Sequence, residues 1–175
     1  MLNIHLPVLG FAAFSGTGKT TLLKQVIPIL RDQGLHPGLI KHAHHRVEFD
    51  QPGKDSYELR KAGAEQVLLA SANRWALMAE TPDESEPELP ELLARMDLSS
   101  LDLVLVEGFR HLSFPKIELH RPSLGKPLLF EQDDSIIAIA TDESLDNHAG
   151  LPSLDLNDPL AIARFIEEYC ERFSS

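Results

Sequence analysis

Ala13-Phe14-Ser15-Gly16-Thr17-Gly18-Lys19-Thr20-Thr21 joins an apolar run to a helix-forming segment through a glycine-bearing turn. It follows an apolar run, residues 6–12, that reads as a buried strand. It opens a segment, residues 19–30, in which Leu22, Leu23, Val26, Ile27 and Leu30 share one helical face. A strand, a glycine-bearing turn and a helix beginning Lys-Thr make up a phosphate loop. The full signature asks for glycine where Ala13 stands. Alanine meets that need wherever the backbone keeps a negative φ and is strained only in the left-handed region.

In such a loop the backbone N–H groups turn inward on the phosphates, and the helix N-terminus adds partial positive charge to the same volume. Ser15, Gly16, Thr17, Gly18, Lys19, Thr20 and Thr21 are therefore the expected nucleotide-binding residues. Lys19 is expected to reach the β- and γ-phosphates, and the Thr20 hydroxyl to hold Mg²⁺.

The 175 residues suit one domain, read as a single nucleotide-binding domain over 1–175. A formal charge of -11 opposes nonspecific attraction to nucleic acid or an anionic membrane. No stretch has the length and apolarity of a membrane span, and the N-terminus lacks a basic segment followed by a long apolar run, so a cytoplasmic protein is expected. The single cysteine, Cys170, falls near an apolar helical face and reads as packing.

Further along, residues 37–42 read as a strand, 44–54 as a polar loop, and 56–62 as a short helix capped by Asp55, with Glu58 three positions on. Residues 66–70 and 74–81 read as a hairpin, 91–96 as a helix, and 101–106, 115–120 and 136–140 as strands. Asp158 and Pro159 open a last helix running to Phe173. Alternating strands and helices predict an α/β, P-loop NTPase-like fold: a predominantly parallel sheet flanked by helices, with additional hairpin strands extending it in mixed orientation. Trp75 suits core packing of the hairpin or a subunit contact.

Ligands of open α/β sheets collect at the carboxyl ends of the strands. Glu107 ends the 101–106 run and is expected either to meet Mg²⁺ or to orient the attacking water. Lys41 and His42 follow the second strand and are expected to offset phosphate charge, with Asp50 or Asp55 organising water or metal. The histidines 42, 44 and 45 could alternatively bind zinc, although their spacing matches no common zinc motif. Asp142 ends the 136–140 strand, where a carboxylate could accept the guanine N1 and N2 donors or simply cap a turn. The Asn-Lys-x-Asp guanine signature is absent.

AFSGTGKTTL (13–22), LIKHAHH (39–45), QPGKDSYELRKAGA (51–64), RWALMAETP (74–82) and LDLVLVEGF (101–109) together closely resemble the MobB family of molybdopterin-guanine dinucleotide biosynthesis adaptor proteins. The resemblance implies a homodimeric GTP-binding protein with weak GTPase activity, using GTP and Mg²⁺ and acting beside a MobA-like guanylyltransferase. It implies nucleotide and metal roles for Lys19, Thr20 and Glu107 and a guanine-side place for Asp142. Ala13 is no departure in this family, whose loop often lacks the first glycine. The competing readings are a P-loop small-molecule kinase and a noncatalytic nucleotide-binding scaffold.

Overall fold

The computed structural model describes residues 5–43, 48, 50–81, 86–145 and 148–173. In chain order the elements are β1 (Val8–Ala12), α1 (Lys19–Asp32), β2 (Pro37–Lys41), α2 (Asp55–Lys61), β3 (Gln66–Ala70), β4 (Trp75–Ala79), α3 (Leu89–Ala94), β5 (Leu103–Glu107), β6 (Lys116–His120), β7 (Ile136–Thr141), β8 (Ser153–Asp155) and α4 (Pro159–Phe173). Contacts divide the chain into two compact units: Met1–His42 with Glu88–Ser175, and Ala43–Pro87. Among the described residues no helix is long and apolar enough to cross a membrane.

The first unit holds a six-stranded sheet in the order β2-β5-β1-β6-β7-β8, with every pairing parallel. Successive side chains of a strand point to opposite faces, so the apolar runs of β1 and β5 supply both. Leu9, Phe11, Leu103 and Leu105 join one core with Leu22, Leu23, Val26 and Leu30 of α1 and Ile162, Ala163 and Ile166 of α4. Val8, Val104 and Val106 join a second core with Leu89 and Leu93 of α3. A sheet covered on both faces follows from this distribution.

The helix ends obey local chemistry. Asp158 Oδ1 accepts from the N–H groups of Leu160 and Ala161, both at 3.0 Å, capping α4 as its sequence predicts. Helix α1 stops where Gly34 takes φ 89°, and the N–H of Leu35 returns to the Leu30 carbonyl at 3.0 Å. Cys170 is buried in the α1/α4 core, and burial pushes its thiol up to about 11, as befits packing.

Three expectations change. The hairpin strands do not extend the main sheet: β3 and β4 form their own antiparallel two-stranded sheet in the second unit, and the edge beyond β7 belongs to β8, too short and polar to announce itself. Asp55 is the first residue of α2 and not its cap; Lys54 holds the cap position, and no side chain closes it. Trp75 is 63% exposed and is therefore no core residue of this chain.

Candidate phosphate-loop site

Parallel pairing brings the carboxyl ends of the strands to one edge of the sheet. Phe11 and Lys41 both register with Glu107, Ala12 with Glu118, and His120 with Thr141. Because β1 has β5 on one side and β6 on the other, the loop leaving β1 opens at a place where the strand order diverges, the usual ligand crevice of such sheets.

That loop is residues 13–18. Gly16 and Gly18 take φ 86° and 99°, the left-handed region that glycine enters without strain. Ala13 needs no such freedom: the non-glycine residues with positive φ among those described are Phe109 and Ala149. Buried Thr17 tightens the turn, its Oγ1 donating to the Phe14 carbonyl at 2.9 Å. Ser15 is exposed, and α1 begins at Lys19 with Thr20 and Thr21 exposed in its first turn.

Glu107 gathers the neighbouring groups. Thr20 Oγ1 donates to its Oε1 at 3.3 Å, and Lys41 Nζ stands 3.3 Å from its Oε2. Burial pulls the Lys19 ammonium below the usual lysine range; Glu107 opposes the shift, while the charges of Lys41 and Arg110 reinforce it. Lys19, Lys41, Arg110 and Glu107 therefore share one electrostatic neighbourhood. Arg110 also lies over the Phe14 ring, 5.3 Å from its centre, and Lys126 approaches the same ring at 6.0 Å.

The turn after Glu107 is tight. Gly108 has φ 113°, and a Cβ there would come within 2.6 Å of His42 Cβ. Phe109 keeps φ 52° while its ring stacks on His42 with centroids 4.6 Å apart. Strain of this kind persists only where surroundings fix it. Here they include the His42 N–H, which donates to the Glu107 carbonyl at 2.8 Å, and Lys116, whose ammonium bonds the carbonyls of Arg110 and Leu112.

Of the expected site residues, the loop 15–18, Lys19, Thr20, Thr21, Lys41, His42, Glu107 and Asp142 all belong to the first unit, on or beside this edge. Asp50 and Asp55 belong to the second. There Asp50 Oδ1 accepts from the Ser56 hydroxyl at 3.0 Å and from the Gln51 N–H at 3.0 Å. His44 and His45 lie outside the described residues, and among those described no three His, Cys, Asp or Glu side chains gather as a metal-holding group.

Two residues of the site were not expected. Arg121, just past β6, donates from Nε to the Thr17 carbonyl at 2.9 Å and pairs through Nη1 with Asp142 Oδ2 at 2.5 Å. Lys116 is fully buried and pairs with Asp133 Oδ2 at 2.8 Å. The available signals were an arginine at the ligand edge of a core strand and a lysine on the polar positions, with Glu118 and His120, of a strand that is buried on both faces.

A parallel sheet, a left-handed glycine turn, Lys19 opening the following helix and Glu107 ending the adjacent strand define an α/β protein of the P-loop type. A family profile described as MobB, "Molybdopterin guanine dinucleotide synthesis protein B", matches residues 8–142, and the chain belongs to that family. A molybdopterin-guanine dinucleotide biosynthesis adapter protein of Escherichia coli (strain K12) is 54% identical over 168 residues, 95% of each chain. The Haemophilus influenzae adapter protein is 43% identical over 172 residues, 98% of this chain and 94% of its own. Among solved structures, a molybdopterin-guanine biosynthesis protein B superposes with TM-score 0.72 at 29% identity, covering 93% of this chain and 99% of that one. Bacillus subtilis MobB gives 0.74 at 27% identity, covering 93% and 98%.

Proposed function

We propose that this chain is a GTP-binding adaptor with slow GTPase activity, serving the step that makes the guanine dinucleotide form of the molybdenum cofactor. Membership of the MobB family supports an adaptor role in molybdenum-cofactor biosynthesis. The observation that carries the nucleotide part is the convergence of the glycine turn, Lys19 and the Thr20–Glu107 contact at the carboxyl edge of the sheet.

The donor set suits a hard cation: a hydroxyl and a carboxylate oxygen already face each other, and Mg²⁺ takes oxygen ligands and retains several waters. Thr20 and Glu107 would hold it, Glu107 directly or through water. When bound, Mg²⁺ would neutralise charge on the β- and γ-phosphate oxygens. The protein's own contributions would be backbone N–H groups of the loop, the Lys19 ammonium on the phosphates, and further positive charge from Lys41 with His42 beside it. Lys41 now leans on Glu107, so it changes partners when an anion arrives. Glu107, or Asp50 or Asp55 of the second unit, would orient the attacking water.

The homodimer finds support in the second unit. Leu68 and Leu69, neighbours on opposite faces of β3, are 61% and 45% exposed, and Trp75 and Leu77 of β4 are 63% and 45% exposed. A two-stranded sheet is marginal by itself, and one apolar on both faces suits burial against a second copy. The remaining partner is a MobA-like guanylyltransferase.

Phosphate release from GTP, measured with and without that guanylyltransferase, tests the proposal. Slow release by the chain alone, altered when the transferase is added, is the expected result. Stoichiometric phosphorylation of a small acceptor would replace the adaptor by a kinase, and indifference to the transferase would remove the adaptor role.

A further inference from the structure

Arg121 joins two parts of the site that are far apart in sequence. Its Nε holds the Thr17 carbonyl, inside the glycine turn, and its Nη1 holds Asp142 Oδ2 at the end of β7. The third nitrogen, Nη2, lies 3.9 Å from where a Cβ on Gly18 would stand, so the guanidinium rests against the turn itself. The side chains are sheltered, 29% exposed for Arg121 and 20% for Asp142. The other carboxylate oxygen, Asp142 Oδ1, is buried and takes no hydrogen bond from the described residues.

A carboxylate has room for several donors on its two oxygens, and a guanidinium fixes its own in one rigid plane. We propose that Arg121 is a positioning residue that couples the phosphate loop to Asp142: one Asp142 oxygen fixes Arg121, and the other stays available for a single donor on the base of the bound nucleotide. The inference rests on the reading of the loop as a triphosphate site. It changes what Asp142 does, because a carboxylate that only recognised guanine would leave binding of a baseless phosphate chain untouched, whereas one that also fixes the loop through Arg121 controls both ends of the ligand. A lysine could reach one of the two partners but not hold both in one plane.

The test is calorimetric affinity for GTP and for inorganic triphosphate, with Mg²⁺, in the wild type, Arg121→Gln, Arg121→Lys, Asp142→Asn and the Arg121→Gln/Asp142→Asn double variant. Hydrogen exchange across residues 13–18 of the ligand-free proteins accompanies it. Arg121→Gln and Asp142→Asn should each weaken inorganic triphosphate on the order of tenfold, the scale of a charge-assisted hydrogen bond. Arg121→Lys should recover part of the loss, and the double variant should bind no more weakly than the worse single one, since coupled residues are not additive. Exchange in the loop should quicken in both single variants. Unchanged triphosphate affinity in Asp142→Asn, or additive losses in the double variant, would overturn the coupling while leaving the triphosphate site standing. A wild type that binds GTP in no condition removes the underlying reading, and unchanged loop exchange would then refute the brace as well. Should Arg121→Gln fail to fold, Asp142→Asn and Arg121→Lys decide by the same readings.

Discussion

Lys116 has none of its side chain exposed, so its ammonium finds all its partners within the protein: the carbonyls of Arg110 and Leu112 and the Asp133 carboxylate. Its stem crosses the sheet where Gly10 leaves space, since a Cβ on Gly10 would stand 2.6 Å from Lys116 Cγ. Burial raises the Asp133 carboxyl, but hydrogen bonds from Lys116 and Ser135 and the lysine's charge outweigh it and hold the group below the ordinary range. A depressed folded value means that the stabilisation is complete above the ordinary aspartate range, about 3.9, and is lost as pH falls through the folded value. Asp133→Asn should therefore cost about 3 kcal/mol at neutral pH, the lower end for a broken buried pair because Asp133 keeps 23% exposure. Urea unfolding of both proteins should show that gap narrowing in acid; a gap independent of pH contradicts the assignment. At this scale the placement of Lys19, Thr20 and Glu107 at one edge was legible, because a motif fixes their spacing and strand ends fix their edge. Arg121 and Lys116 were not, because their roles depend on partners that only the folded topology brings near, Thr17 for the one and Asp133 for the other.

Among the elements, the β3–β4 hairpin is the least satisfied by its own unit. Its register places Leu68 opposite Leu77 and Ala70 opposite Trp75 on one face, with Leu69 opposite Ala76 on the other. Arg60 ties α2 to the end of β4 through Glu80 at 2.6 Å and also holds Glu48 at 2.6 Å, while Leu68, Leu69, Trp75 and Leu77 stay exposed. Replacing Leu68 or Trp75 with Lys should convert a wild-type dimer to monomers in light scattering while far-ultraviolet dichroism changes little; a wild type already monomeric at micromolar concentration contradicts the hairpin interface. The hairpin strands were readable from their β-rich runs and the Ser-Ala-Asn turn between them. Their separation from the main sheet was not, because an apolar strand carries no mark of the sheet that takes it. Helix α3 shows a smaller limit: it begins at Leu89, ahead of Pro90, and proline is tolerated in a first turn where its missing N–H is not needed.

For the whole molecule the contrast is one of charge. A chain of formal charge -11 sets Lys19, Lys41, Arg110, Arg121 and Lys126 around or beside a single loop, a cationic cluster on an acidic protein. Such a local field would favour a phosphate group even though the bulk charge opposes nonspecific attraction to nucleic acid and anionic membranes. The alternation of strands and helices made the parallel core legible, since β1 and residues 103–106 of β5 are apolar and must be covered on both faces. The division into two units was not, because the 43–87 stretch combines helix and strand signals of the same kind as the rest. The proposed function rests on triphosphate binding by the loop. Titration calorimetry of GTP and GDP with Mg²⁺ against the wild type and Lys19→Ala measures it directly. The wild type should bind GTP, and Lys19→Ala, still folded, should lose on the order of a hundredfold or more in GTP affinity and less in GDP affinity, because the ammonium serves the β- and γ-phosphates together. Equal GTP affinity in the two proteins, or no binding of GTP to the wild type with or without Mg²⁺, would contradict it.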